Sequence, residues 1–313
     1  MGGQRHWSRG HSITTWAGVG LGVLVVVVVV LSVVALNRNR PVAGAGATPP
    51  DTAPVAATED VASEAPTDVV PTVVANRVLT AADANEAVRA AVTACPEPTT
   101  VEVTSDGGAS WEAFVAPGIA SAQRITIGDE AFIGVIGLAV EGCTPTFERS
   151  FVGGAAWETA AEEVGSAWYV DPADRAVVHS PSGAHPAPCA TVVQLAVGGD
   201  TLAAVLCDDG SVHATVDGAG SWLPPVAVPG AAAIAAGGAG YRVAVLNEGD
   251  CAGAQLVEIA LTDAGLDAGA PGACLATTVA AGGAAVATGE SGTTWLWAGD
   301  ALGRTDDGGA TWQ

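Results

Sequence analysis

Three histidines in the second half of the chain are the first candidates for chemistry. His179 and His185 lie six residues apart in a stretch containing Pro and Gly, and His213 follows. Two imidazoles can begin a metal site, but a structural zinc needs four Cys, His or carboxylate ligands. No Cys or carboxylate cluster completes the set here, so the segment reads as an exposed loop. Asp208-Asp209-Gly210 and Thr305-Asp306-Asp307-Gly308 look at first like calcium loops. They lack the further ligands and the terminal Glu of an EF-hand. Gly289-Glu290-Ser291-Gly292 sets a serine among glycines but departs from the G-x-S-x-G elbow. Carboxylates abound, and whether two of them flank a glycosidic bond depends on spacing in space, which the sequence leaves open. No catalytic set, metal site or cofactor is expected.

One pattern recurs four times: Ser/Thr-x-Asp-x-Gly-x-x-Trp. Its copies are Thr104, Asp106, Gly108 and Trp111; Ser150, Gly154 and Trp157, without the Asp; Thr215, Asp217 and Trp222, with Ala219 for the Gly; and Thr305, Asp307, Gly309 and Trp312. The physics is that of a tight hairpin turn. The carboxylate and hydroxyl accept N–H groups inside the turn, and glycine supplies a positive φ. The Trp opens the next strand and lays its ring on the hairpin. The Trp positions are separated by 46, 65 and 90 residues. A unit of about 45 residues explains the first gap and half the third. That places a degenerate turn near residues 262–265 and an irregular unit around 168–189.

The elements that must carry these turns are short apolar runs. Residues 192–199, 202–207 and 211–216 lead to the third turn, and 284–289, 293–299 and 302–305 lead to the fourth in the same order. Three strands plus the Trp-led strand make a four-stranded meander. Ahead of them, Thr80 with Asp83 is similar to a capping box, and Val88 and Val92 sit one turn apart, so residues 81–94 are expected to form a short helix.

The repeated pattern resembles the Asp-box, or BNR, repeats of sialidase-type β-propellers, and more loosely the photosystem-assembly-factor-like and sortilin-like propellers. The resemblance covers residues 95–313. It implies an all-β propeller of about five to six four-stranded blades, with the box a structural turn on the rim. A sialidase also needs an arginine triad for the substrate carboxylate, a Tyr nucleophile with a Glu partner, and an acid. The domain holds only Tyr169 and Tyr241, and Arg124-Ile125-Thr126 is its nearest approach to an Arg-Ile-Pro motif. The sialidase motifs are therefore not recognised. The last Trp-led strand stops at Gln313, which would leave an open sheet edge. A strand from the segment before Cys95 is expected to cover it.

Six cysteines follow residue 90 and none precedes it. In a meander, alternate loops fall on opposite faces. Cys95, Cys143, Cys189, Cys207, Cys251 and Cys274 all fall on the face away from the repeated turns. This favours sequential pairing: Cys251–Cys274 across one hairpin, Cys189–Cys207 on neighbouring strands, and Cys95–Cys143 between adjacent blades. Cys143–Cys189 is the main competitor among 15 connectivities.

Every basic residue is arginine, 11 in all against 33 acids, and four of the arginines flank an apolar run at residues 16–36. The excess of acid repels nucleic acid, so no nucleic-acid partner is expected. The apolar run has the length of a transmembrane helix and exceeds the h-region of a signal peptide. Cleavage near Ala43-Gly44-Ala45 is the rival reading. An even number of Cys confined to one side indicates an oxidising compartment. The expected organisation is a cytoplasmic N-terminus (1–15), a transmembrane helix (16–36), a Pro/Ala/Thr-rich disordered linker (37–75) and an extracytoplasmic propeller (76–313). The chain is then a single-pass protein of the cell membrane, displaying a non-catalytic module for an unknown protein or glycan ligand. The alternative is a carbohydrate-active enzyme of the envelope.

Overall fold

The computed structural model describes residues 74–313. The expected anchor and most of the linker lie outside the described residues. Among the described residues, no helix is long and apolar enough to cross a membrane.

Every sheet is antiparallel, and neighbours follow chain order with one exception, in the fourth sheet, where the last strand returns beside the third. The first joins β1 (Arg77–Ala81), β2 (Ala87–Ala91), β3 (Pro98–Thr104), β4 (Glu112–Gly128), β5 (Phe132–Ala139), β6 (Pro145–Ser150) and β7 (Glu158–Thr159). β4 has 17 residues, and its register breaks between Ala120 and Arg124, where Ser121 takes a φ of 49°. Its first half pairs with β3 and its second with β5, so one strand ends a meander and begins the next. A 3-10 turn (Ala161–Ser166) leads to a small sheet of β8 (Tyr169–Val170), β9 (Val177–Ser180) and β10 (Gly183–Pro186). This is the irregular unit expected around 168–189. Then come β11 (Val192–Val197), β12 (Ala203–Cys207), β13 (Ser211–Thr215) and β14 (Val226–Ala227). The fourth sheet holds β15 (Ala231–Gly237), β16 (Gly240–Leu246), β17 (Gly253–Thr262), β18 (Gly265–Ala268) and β19 (Leu275–Ala276). The last holds β20 (Ala284–Thr288), β21 (Thr294–Ala298) and β22 (Ala301–Thr305).

The opening strands β1, β8, β11, β15 and β20 and the second half of β4 pack against one another in sequence, and β20 returns to β1. Sheets standing around a closed ring of inner strands make a β-propeller. Apolar residues fill the gaps between sheets. Leu206, Ile234, Tyr241, Val243 and Ile259 are buried between the third and fourth sheets, and Leu256, Val286 and Leu296 between the fourth and fifth. Each such side chain contributes roughly 1.5–3 kcal/mol.

Two expectations are corrected. Residues 81–94 form no helix; they make the β1–β2 hairpin, with Thr80 opposite Val88. The Asp83 carboxylate accepts the N–H groups of Asn85 (2.7 Å) and Glu86 (2.8 Å), so the residue read as a helix cap closes a turn. Pairing of β2 with β3 then overrides the helical preference of the alanines. Nor does the segment before Cys95 extend the last sheet. The chain's own end does this, through paired N–H···O bonds between Arg304 and Gln313 (3.2 and 2.9 Å).

Candidate binding channel and the turns around it

The disulfides pair in sequence: Cys95–Cys143, Cys189–Cys207 and Cys251–Cys274, with Cα separations of 5.9, 6.2 and 5.5 Å. Each bridges strands or loops of one sheet or of immediate neighbours, and none spans the junction between β20 and β1.

The four repeated turns are built alike. In the first, Thr104 Oγ1 accepts the Gly108 N–H (3.0 Å) and donates to Asp106 Oδ1 (2.9 Å). Asp106 in turn accepts the Ser110 N–H (2.9 Å) and hydroxyl (2.6 Å). Thr215, Asp217, Ala219 and Ser221 repeat these bonds, as do Thr305, Asp307, Gly309 and Thr311. The second copy keeps only the hydroxyl: Ser150 Oγ accepts the Gly154 N–H at 2.9 Å. The hydroxyl before each Trp (Ser110, Ser221, Thr311) went unread in the sequence. Its signal was there, since Ala156 takes its place in the one copy without the Asp. These bonds hold the carboxyls of Asp106, Asp217 and Asp307 down at about 2. The Ser110 and Ser221 hydroxyls act most strongly on the first two, and the Thr305 hydroxyl on the third.

The Trp rings reach further than their own hairpins. Trp222 Nε1 donates to Pro186 O (3.2 Å) in the preceding sheet, and Trp312 Nε1 to Ala273 O (2.9 Å) in the segment between β18 and β19. Trp111 packs into the cluster around Trp295 of the last sheet.

The arginines of the described residues also have structural partners. Arg89 pairs with Glu102 (2.8 Å) and lies over Trp111. Arg149 pairs with Glu158 (2.5 Å) and Glu163, and Arg242 with Glu258 (3.0 Å). The other four donate to carbonyls of a neighbouring sheet or of the chain leading into it: Arg77 to Gly299, Arg124 to Trp168 (3.4 Å), Arg175 to Val192 (2.7 Å) and Val193 (2.9 Å), and Arg304 to Ala84 (2.6 Å). His179 meets Asp171 (3.2 Å) and stacks on Tyr169 at 4.2 Å, while His185 meets Ser182 (2.9 Å). The histidine stretch is thus the β9–β10 hairpin and not an open loop.

The concave feature is a cavity of about 820 Å³ inside the ring, lined by β1, β4, β11, β15 and β20. The acids Asp83, Glu86, Asp129, Glu130 and Glu290 stand where those strands end. Toward the strand beginnings the cavity shares Gln123, Arg124 and Gln194 with a smaller recess of about 30 Å³, which Arg77, Tyr169 and Arg175 also line. Burial pulls the Arg124 guanidinium down to about 10, so it stays charged at neutral pH. Sequence reading missed this set, because its members come from five strands far apart in the chain.

No family model and no curated protein matches the chain. Among solved structures, "YCF48 bound to D1 peptide" is 14% identical over 77% of this chain and 67% of that one, with a TM-score of 0.30. The GH74 enzyme of Niastella koreensis is 16% identical over 73% of this chain and 36% of its own, with a TM-score of 0.37. The WD40 β-propeller domain of Doa1 is 14% identical over 74% of this chain and 92% of its own, with a TM-score of 0.39. The ring of sheets described above rests on its own ladders and owes nothing to these likenesses.

Proposed function

We propose that the chain is a membrane-anchored, surface-displayed, non-catalytic β-propeller that binds or scaffolds in the cell envelope. In this reading the propeller has six blades, with β4 shared between the first two and β8–β10 a reduced third. The repeated turns are Asp boxes of the BNR type. One observation carries the non-catalytic reading: the repeated carboxylates and nearly all the arginines already have structural partners. The box carboxylates bond within their own turns, and the arginines other than Arg124, which makes a single 3.4 Å bond to Trp168 O, hold acids or the carbonyls of neighbouring sheets. The alternative, a carbohydrate-active enzyme, would draw on the recess where Arg77, Arg124, Arg175 and Tyr169 meet. That recess is narrow, about 30 Å³, and its tyrosine is already stacked on His179. Three disulfides and the apolar run at 16–36 support an anchored, extracytoplasmic placement.

Protease added to intact cells tests the placement. Loss of the propeller with a protected N-terminus supports it, and a protected propeller reverses it. Release into the medium with a new N-terminus near residue 46 favours the cleaved signal peptide.

A further inference from the structure

The central channel carries opposite charges at its two ends, and its walls are the free edges of strands. The five strands that line the channel, β1, β4, β11, β15 and β20, run in the same direction, while β8 runs against them: Arg175, after it, meets the start of β11, and Trp168, before it, reaches Gly199 past the end of β11. Where the five end, Asp83, Glu86, Asp129, Glu130 and Glu290 form an acidic mouth. Near their beginnings the charge reverses at Arg124. Among the described residues no carboxylate pairs with Arg124, whose one hydrogen bond is the 3.4 Å contact to Trp168 O. Beside it, Gln194 uses Oε1 to accept the Ile234 N–H at 2.8 Å, and its Nε2 meets no acceptor among the described residues. Arg124 and Gln194 both line the cavity, and each keeps donors that could serve a carboxylate, the guanidinium in a charge-assisted bond. Five residues of extended strand separate Arg124 from Asp129, about 16 Å. Between the two ends, β1, β11, β15 and β20 each pair on one side only, so their other backbone edges face the channel.

We propose that this channel binds a short free peptide in extended form, its carboxylate on Arg124 and Gln194 and its ammonium at the acidic mouth. The donors at one end match the peptide's anion, and the acids at the other match its cation. The free strand edges match the N–H and C=O groups between, as when a strand is added to a sheet. The acidic mouth also repels ligands that carry only negative charge, which gives selectivity for a zwitterion. The site rests on the reading of the ring as a non-catalytic binding module. Bound peptide that is hydrolysed would sink that reading and leave the site standing. Peptide that fails to bind would sink the site alone.

The test uses the purified full chain and pentaglycine, whose five residues reach about 17 Å, followed by calorimetry. Saturable binding tighter than about 1 mM is expected. The C-terminal amide and the N-acetyl form of the same peptide should each bind about tenfold more weakly. Arg124→Gln should bring the free acid down to the level of the amide. Gln194→Glu keeps the acceptor for Ile234 and replaces the free N–H₂ by a carboxylate oxygen, so it should weaken the free acid even if Arg124→Gln fails to fold. Glu290→Gln should weaken pentaglycine and leave the N-acetyl form unchanged. The site is overturned if no saturable binding occurs, if amidation has no effect, or if folded Gln194→Glu binds as the parent does. Equal or tighter binding of ω-aminododecanoate, which lacks backbone amides, overturns the assignment to a peptide.

Discussion

The repeated turns and the seam that closes the ring hold the same fold by opposite means. In the turn from Thr305 to Thr311, every bond joins residues two to four apart. At the seam, Trp295 Nε1 donates to Asp83 O (2.8 Å) across 212 residues, and Arg304 to Ala84 O (2.6 Å) across 220. The Asn76 N–H reaches Gly282 O (3.0 Å), and the Glu290 N–H reaches Ala82 O (2.8 Å). No disulfide crosses this junction. A turn forms as soon as its own residues are ordered, whereas the seam forms only after both ends of the chain have been brought together. That closure costs entropy which only packing can offset. The propeller is therefore expected to open first between β20 and β1.

The sharpest way to break the comparison is at Trp295, which is fully buried among Ala81, Ala87 and Ala287. Trp295→Ala should cost about 3–5 kcal/mol in urea unfolding, as loss of a large core side chain does. It should also speed amide exchange in β1 and β20 more than in β12. Uniform acceleration would mean that the seam is no weaker than the rest.

Removing a cross-link within a sheet comes next. Cys251→Ala with Cys274→Ala opens a loop of 23 residues and should cost about 3 kcal/mol. The loss should appear in β17–β19 and spare exchange at the seam. Non-reducing peptide mapping checks the pairing itself, and a Cys143–Cys189 peptide would contradict it.

Arg304→Leu should cost about 1–3 kcal/mol, by leaving the Ala84 carbonyl without its donor. Gly107, with a φ of 75°, lies against this guanidinium, so Gly107→Ala adds both a strained backbone and a clash. It should destabilise even though its own turn keeps every side-chain bond.

The smallest effects belong to the turns and are read by pH. The carboxyls of Asp106, Asp217 and Asp307 sit near 2 when folded, below the unfolded value of about 3.9. Their stabilisation is thus present above about pH 4 and is lost as pH falls toward 2. Asp307→Asn should lower the melting temperature at neutral pH by a few degrees at most and flatten its fall between pH 4 and 2. An unchanged acid slope would show that the carboxylate contributes nothing through its charge.

What the sequence determined by itself is whatever closes over a few residues. The repeated turns carry their own donors and acceptors, so Thr215, Asp217 and Trp222 were legible even with Ala219 at a φ of 71° where other copies have glycine. The strands feeding the third and fourth turns were legible because β12 and β20 are short apolar runs bounded by turn residues. Strand order favoured sequential disulfide pairing but left Cys143–Cys189 open, and only the structure pairs the six in sequence. The first hairpin was misread for a physical reason: Ala-rich residues 81–94 favour a helix alone, and only pairing of β2 with β3 makes them strands. The end of the chain was misread similarly, since nothing local says that Gln313 will pair with Arg304 while the N-terminal hairpin seals the ring from within. The channel belongs wholly to tertiary structure. Arg124 and Gln194 are ordinary polar residues in their own strands, and Asp83, Asp129 and Glu290 are ordinary turn acids. They become the two poles of one cavity only because the closed ring sets five inner strands side by side in the same direction.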